Sequence, residues 1–286
     1  MATMTLSEGE KKYILDSVND DCRIDGRQRN NYRLMQVETD VIDHANGSAR
    51  LRIGETEVLV CVKAELETPK PETPDRGSIQ FFIDCSANAS PQFAGRGGSE
   101  LASDIQSCLD RAFSSPSVLD YTALCVERGH FSWTLFVDIL ILQCGGNLYD
   151  AVSLGVKAAL YNTVIAKVAV KFLADNKPEV EVSSDPSKGF KLDVTNVPCF
   201  MTFLRIGNHC VLDPSLEEES CGQGSLVVGI TVQGIVTHVR KVGPGSFHPT
   251  SMEDALNTAN AIGPLIHMQL LSKLKEETAD KRGFLR

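Results

Sequence analysis

The sequence is poor in the spacings that announce a metal or a hydrolase. Its nine cysteines, Cys22, Cys61, Cys85, Cys108, Cys125, Cys144, Cys199, Cys210 and Cys221, include no C-x-x-C pair, which removes a zinc ribbon and a thioredoxin motif. Six histidines show neither H-x-x-x-H nor H-E-x-x-H spacing, so no metal site and no metal cofactor are expected. A G-x-S-x-G elbow and a Walker loop are absent too, and with them the simplest acyl-hydrolase and nucleotide-hydrolase readings. No apolar run is long enough to cross a bilayer, since SWTLFVDILILQC and TVIAKVAVKFLA are broken by charge. The opening MATMTLSEGEKKYILDSVNDD has no apolar signal core. The cysteines are scattered, odd in number and mostly set among apolar neighbours, so they read as small buried hydrophobes kept reduced. A soluble intracellular chain without membrane contact is expected. Its sequons Asn46-Gly-Ser48 and Asn88-Ala-Ser90 would then never meet the glycosylation machinery.

What is present is ordinary globular material: 286 residues, 42% hydrophobic and 23% charged. That supports a sizeable core in two domains or one large one, and excludes disorder and collagen. Lys plus Arg is 28 against 37 for Asp plus Glu, a formal charge of −9. Such a balance argues against a histone-like coat of DNA but leaves room for a local basic patch.

Residues 5–18 read as a short amphipathic helix, with Ser7 and Glu10 at capping-box spacing. Val37, Thr39 and Val41 alternate, HANGS turns, Ala49, Leu51 and Ile53 alternate, and GETE leads into VLVCVKA, a meander of strands. TPKPETPDRG is a loop; IQFFIDCSA resumes the strand pattern. Leu101, Ile105, Cys108, Leu109 and Ala112 fall at helical spacing. WTLFVDILILQ reads as a buried strand, and Asp150 opens a long helix through AVSLGVKAALYNTVIAKV, where Gly155, Ala158 and Ala159 permit close packing. The polar stretch 174–198 marks the best boundary. Beyond it come hairpins around Gly207-Asn208 and Gln233-Gly234, then a last helix from near Ser251 with a charged end expected to fray. Strands then helices, twice over, predict an α+β fold of two similar halves.

Two glycine-rich turns and one acidic run are the candidate sites. In PQFAGRGGSELASDI, Arg96 stands among Gly95, Gly97 and Gly98 just before a helix start. A guanidinium beside free helix-start amides suits a phosphodiester. Equally, the glycines can shape a tight turn, with Ser99 capping the helix and Arg96 in water. In QCGGNLYDA no cation is present, and a strand-to-helix turn with Asp150 as N-cap is the simpler reading. LDPSLEEES carries Asp213, Glu217, Glu218 and Glu219; oxygen ligands can hold a divalent cation, but a solvated loop is the favoured reading.

Together, CRIDGRQRNNYR, PQFAGRGGSELASDI, SWTLFVDILILQCGGNLYDAVSLGVKAAL and LDPSLEEESCGQGSLVVGITVQGIV resemble the RNase PH family in sequence and order, across most of the chain. The resemblance implies an RNase PH-like fold, two β-α-β halves of ribosomal protein S5 domain 2 type, in a six-membered ring. It suggests an N-terminal segment 1–30, a first domain 31–190 and a second 191–286. Active members cleave RNA from its 3′ end with inorganic phosphate. For that they use a Gly-Thr/Ser-Arg turn, two aspartates six residues apart, and arginines that grip RNA. Here the turn falls on Gly146, Asn147 and Leu148, with leucine where arginine belongs. The acid pair falls on Glu219, or Glu218 with a one-residue slip, and on Ser225, which has no carboxylate. Losing such groups costs orders of magnitude in rate. The resemblance therefore implies no catalytic residues and no cofactor. What remains is a non-catalytic ring subunit of the RNA exosome that guides single-stranded RNA in RNA degradation, rRNA maturation and mRNA turnover.

Arg96, with Gly97 and Gly98, matches the RNA-gripping position. Lys63 is a weaker RNA candidate that reads more simply as an exposed strand-end lysine, and Arg111 reads as structural, with Asp110 or Asp104 as partner. The implied partners are other RNase PH-like ring subunits, S1/KH-type cap subunits and an associated hydrolytic exoribonuclease, in nucleus, nucleolus and cytoplasm. Two rivals stand beside this reading: an active phosphate-dependent exoribonuclease with an atypical pocket, and an S5-like interaction module without RNA.

Overall fold

Ser7 starts the first helix in the computed structural model, which describes residues 6–95, 97–172, 178–182 and 189–284. The Ser7 side chain accepts from Glu10 N, and the Glu10 carboxylate accepts from Ser7 N at 2.7 Å. This reciprocal capping box begins α1 (Glu8–Asn19). The meander follows as β1 (Met35–Thr39), β2 (Gly47–Ile53) and β3 (Thr56–Glu67), each antiparallel to the next. Ala49, Leu51 and Ile53 are buried while Arg50 and Arg52 face water, the period of a half-covered strand.

The proline-rich loop then delivers the chain to β4 (Ser78–Cys85). After it come α2 (Ser99–Phe113), the short β5 (Cys125–Glu127) and β6 (Phe131–Gln143). β6 lies antiparallel to β3 and parallel to β4; a parallel pair needs a crossover, and α2 supplies it. The first sheet thus runs β1-β2-β3-β6-β4, with β5 on β6.

α3 (Leu148–Asn162) is buried from Leu148 through Leu160. It packs on β2 and β3, and the second half of the chain covers its opposite side. A helix apolar all round is a core helix. It ends earlier than its sequence suggested. Thr163, Val164 and Ile165 are β-branched and stiff at χ1, the Thr163 hydroxyl turns back to Ala159 O at 2.8 Å, and TVIAKV leaves the helix. Its residues enter β7 (Val164–Ile165) and β8 (Val168–Phe172). β8 pairs with β9 (Pro178–Val182) and β7 with β10 (Phe190–Lys191). The expected boundary, 174–198, lies partly outside the described residues.

The second half comprises β11 (Cys199–Ile206), β12 (His209–Leu212), α4 (Leu216–Cys221), β13 (Gly224–Ile230), β14 (Val236–Val242) and α5 (Pro249–Phe284). Its sheet runs β12-β11-β13-β14, antiparallel throughout. Both expected hairpins are present. α5 begins at Pro249, carries Pro264 inside it, and stays helical to Phe284, through the charged stretch expected to fray. The fold is α+β, as expected. No helix among the described residues is long and apolar enough to cross a membrane. Cys108 and Cys199 are buried; Cys22 is exposed, and the other six cysteines are half-buried and free, so burial is less complete than the sequence suggested.

Where the halves meet, Lys157 of α3 is wholly buried. Its ammonium donates to Val197 O at 2.8 Å, to Thr195 O at 3.1 Å and to His267 Nδ1 of α5 at 2.9 Å. His267 Nε2 lies 2.8 Å from Ile230 O, so the imidazole is neutral, donating through Nε2 and accepting through Nδ1. Burial, then the Lys157 charge, push its pKa down to about 4. An unfolded histidine titrates near 6.5, so the unfolded chain binds the extra proton between about 4 and 6.5. This contribution to stability is complete above that window and lost as pH falls through it. A His267→Gln chain keeps an acceptor and a donor there without the titration. Between pH 7 and 4 the wild type is expected to lose up to about 3 kcal/mol more unfolding free energy than the variant, read by urea unfolding at both pH values. Equal changes in the two chains would refute this role for His267.

Candidate functional site

β6 ends at Gln143 and α3 begins at Leu148, so Cys144 to Asn147 must reverse the chain in one tight turn. Gly146 has φ +92° and Asn147 φ +56°, left-handed conformations that glycine adopts freely and asparagine tolerates. A Cβ on Gly146 would sit 2.7 Å from Leu216 N and from Ser215 C, so the turn lies directly on the start of α4. Asn147, not Asp150, occupies the N-cap position of α3, and its side chain makes no cap bond. Its Nδ2 instead donates to Asp150 Oδ2 at 2.8 Å and to Asp213 Oδ1 at 2.6 Å.

Asp150 therefore stands inside the first turn of α3, buried, and not at its cap. Its carboxyl accepts from Tyr32 OH at 2.8 Å and from the Thr202 hydroxyl at 2.7 Å. Burial pushes its pKa up to about 7 against the pull of the Asn147 and Thr202 hydrogen bonds. This aspartate ties α3 to β11.

The acidic run is also unlike the solvated loop expected of it. Ser215 and Glu218 form a second capping box that starts α4, and Asp213 and Glu218 are buried. Their counter-charges come from the N-terminal segment. Arg23 Nε donates to Glu218 Oε1 at 2.8 Å, a second bond joins Nη2 to Oε2, and Leu212 O and Asp213 O accept from the same guanidinium at 2.8 Å. Arg33 donates to Asp213 Oδ1 at 2.8 Å and to Oδ2 at 3.0 Å, and also to Gly145 O at 2.7 Å and Gly146 O at 3.1 Å. Burial alone would raise the Asp213 carboxyl; the hydrogen bonds and charge of Arg33 hold it below its ordinary value. Arg33 thus clamps the turn to the acidic run from behind. Among the described residues, no group of three or more His, Cys, Asp or Glu is arranged to hold a metal ion.

In front of the turn is a cleft of about 240 Å³ between the two halves. Leu148 from α3, Glu219 from α4 and Ser225 from β13 all line it, so residues 71 and 77 positions beyond Leu148 are brought to one place. Asn147 N donates to Glu219 Oε1 at 2.8 Å. Burial pushes the Glu219 carboxyl up to about 7, partly offset by that amide and by Arg33. The remaining walls are largely apolar: Phe93, Leu101, Leu204 and Val242.

Gly97 reaches the cleft edge, but Arg96 lies outside the described residues. A Cβ on Gly97 would fall 1.7 Å from Gln92 O, so local packing demands glycine there whatever the loop binds. Gly98, not Ser99, occupies the N-cap position of α2, without a side-chain cap bond. Lys63 is exposed on β3, pairs with Glu65, and is not among the cleft residues. Asp104, suggested as a partner for Arg111, pairs instead with Arg240 at 2.6 Å, fastening α2 to β14.

Sequence reasoning passed over Arg23, Arg33, Asp213 as an anchor, and Asp150 as a buried acceptor. One signal was available: Arg23, Arg27, Arg29 and Arg33 fall within eleven residues, a density that calls for acids elsewhere.

Residues 31–166 match the family model described as 3′ exoribonuclease family, domain 1, and residues 196–262 match domain 2 of that family. The chain is 32% identical over 320 residues to the putative exosome complex exonuclease RRP42 of Dictyostelium discoideum, covering 95% of this chain and 98% of that one. It is 34% identical to the exosome complex component Rrp42 of Methanothermobacter thermautotrophicus, covering 89% and 90%. Among solved structures it is similar to a chain of the Archaeoglobus fulgidus exosome with RNA bound to the active site. That match has a TM-score of 0.80 and 30% identity, over 92% of this chain and 98% of that one.

Proposed function

This chain belongs to the RNase PH family of 3′ exoribonucleases, and from that membership we propose that it is a non-catalytic, RNA-guiding subunit of an exosome core ring. One observation carries the loss of catalysis. The turn before α3 meets the cleft with Leu148, and its Asn147 amide is already taken by the Glu219 carboxylate. An attacking phosphate needs a fixed cation and free helix-start amides; here it would face a leucine and an acid. The second acid is also missing, since Ser225 stands on β13 with only a hydroxyl. Among the described residues, neither a charge for the phosphate nor a carboxylate pair for a metal or a proton is assembled.

The partners follow from the same reading: RNase PH-like neighbours in the ring, S1/KH-type caps over it, and a hydrolytic exoribonuclease that supplies the chemistry. So does a place in nucleus, nucleolus and cytoplasm, in rRNA maturation and mRNA turnover. RNA is guided by Arg96 in its glycine-rich loop, and the net charge of −9 confines that contact to a local patch. The chain incubated alone with oligo(A) and inorganic phosphate is expected to release no ADP. Robust phosphate-dependent release would overturn the non-catalytic reading. In the assembled ring, Arg96→Glu should weaken crosslinking of this subunit to labelled RNA, and indifference to the substitution would remove the guiding role.

A further inference from the structure

The loop TPKPETPDRG between β3 and β4 has no part in the cleft. It holds two of the four Ser/Thr-Pro pairs in the sequence, Thr68-Pro69, Thr73-Pro74, Ser90-Pro91 and Ser115-Pro116. Of these, Thr73 alone has a cation three residues beyond its hydroxyl, Arg76; the others have Pro71, Phe93 and Val118 there. Thr-Pro-x-Arg is the pattern that proline-directed Ser/Thr kinases read. Proline has no N–H, so it enters an apolar kinase pocket without burying an unpaired donor. The arginine beyond it meets anionic groups on the kinase surface. The fold leaves this segment open. Thr73, Asp75 and Arg76 are exposed, and the loop is neither helix nor strand. Thr73 N donates to Lys70 O at 3.0 Å, closing one turn from Lys70 to Thr73, and a second turn runs through Pro74 and Asp75. Thr73 thus stands between two cations, each three positions away. Lys70, Thr73 and Arg76 line one open cavity of about 310 Å³, together with Asp110, Phe113 and Ser114 from the end of α2, and Asp110 is its one acid. Neither cation is firmly engaged. Arg76 Nε lies 4.0 Å from Asp75 Oδ1 with both side chains about half exposed, and among the described residues no acid pairs with Lys70.

We propose that Thr73 is phosphorylated by a proline-directed Ser/Thr kinase, and that Lys70 and Arg76 then hold the phosphate against the end of α2. In the transfer, the Thr73 hydroxyl oxygen attacks the γ-phosphorus of MgATP held by the kinase. The bond from that phosphorus to the β,γ-bridging oxygen breaks, ADP leaves, and the hydroxyl proton passes to the catalytic aspartate of the kinase. A kinase takes its substrate segment extended, so the bond from Gly129 N to Pro74 O, at 2.9 Å, opens for the reaction and can close again after it. The product carries about −1.5 to −2 charges near pH 7 and acceptor oxygens on every side. Lys70 and Arg76 meet it from the two flanks with charge-assisted hydrogen bonds. Modification therefore ties the loop between β3 and β4 down onto its own domain.

The full chain incubated with MgATP and a cyclin-dependent kinase bound to its cyclin, followed by peptide mass spectrometry, tests the site. Phosphate is expected on Thr73 and not on Thr68, Ser90 or Ser115. Thr73→Ala should take up none, and Pro74→Ala should slow the initial rate by about tenfold or more. No phosphate on Thr73, phosphate on another Ser/Thr-Pro pair in its place, or an unchanged rate in Pro74→Ala would each overturn the assignment. Limited proteolysis tests the two cations. Trypsin cuts after Arg76, which precedes Gly77, and spares Lys70, which precedes Pro71. The phosphorylated chain should be cut after Arg76 a few-fold more slowly than the unmodified chain, because cleavage follows local opening of the loop. Lys70→Ala should remove most of that slowing. Equal slowing in phosphorylated wild type and phosphorylated Lys70→Ala, or no slowing in either, would show that the phosphate is not held as proposed.

Discussion

Arg23→Ala is expected to cost about 3–5 kcal/mol of unfolding free energy, the penalty for removing one partner of a buried ion pair. Arg23 is 2% exposed and Glu218 2%, so the abandoned carboxylate cannot be rescued by water. The loss extends beyond the pair. Leu212 O loses its Arg23 donor in the same step and Asp213 O keeps only the longer bonds from Arg27, at 3.3 and 3.4 Å, and Glu218 still has to accept from Ser215 N in the capping box. Urea unfolding of the wild type and the variant measures it. The physical cause predicts a second outcome: Arg23→Met combined with Glu218→Met should recover part of the loss, because the buried charge has gone while the donors that Arg23 gave to Leu212 O and Asp213 O are not restored. A single-variant loss below about 1 kcal/mol, the range of exposed pairs, would show that water reaches the pair and that this account is wrong.

The second large effect is expected at the turn. Gly146→Val places a β-branched side chain at φ +92°, with its Cβ 2.7 Å from the backbone of Ser215 and Leu216. Backbone strain and overpacking each cost about 1–3 kcal/mol, so a combined loss of about 2–6 kcal/mol is expected. Gly95→Val is the matched control. Gly95 also has positive φ, at +69°, but nothing lies within 4 Å of its added Cβ, so only the strain should register. If the two variants lose equal stability in thermal unfolding, the contact between the turn and α4 is not what holds Gly146 as glycine.

Local signals in this chain were readable where the partners are close in sequence. The alternation of Ala49, Leu51 and Ile53, the hairpins at Gly207 and Gly234, and the capping box at Ser7 all involve neighbours within a few residues. The end of α3 was misread because Thr163-Val-Ile continues an apolar helical pattern, and periodicity alone does not weigh β-branching. The acidic run was misread for a different reason. Ser215 and Glu218 stand at the same spacing as Ser7 and Glu10, so the helix start was there to be seen, but the charge of LDPSLEEES suggested water. Only the arginines of residues 23–33, brought close by the fold, make those acids interior groups. In the same way the family resemblance implies departures from an active pattern at Leu148 and Ser225, without showing that Glu219 accepts from the Asn147 amide. Backbone donors carry no residue signature.

The clasp between Arg23 and Glu218 spans 195 positions of the chain, and that span has a temporal side. A ribosome adding about 5–20 residues per second needs on the order of 10–40 s to travel from one to the other. Throughout that interval α1 and the arginine-rich segment have no acidic run to close upon, and the turn before α3 lacks the Asp213 that Arg33 holds against it. The nascent first half emerges with its central helix open on the side that β11 will cover. Closure belongs to the end of synthesis, so a truncated product stopping before residue 213 would present an uncovered α3 and unmatched arginines together, a surface suited to capture by chaperones or proteases.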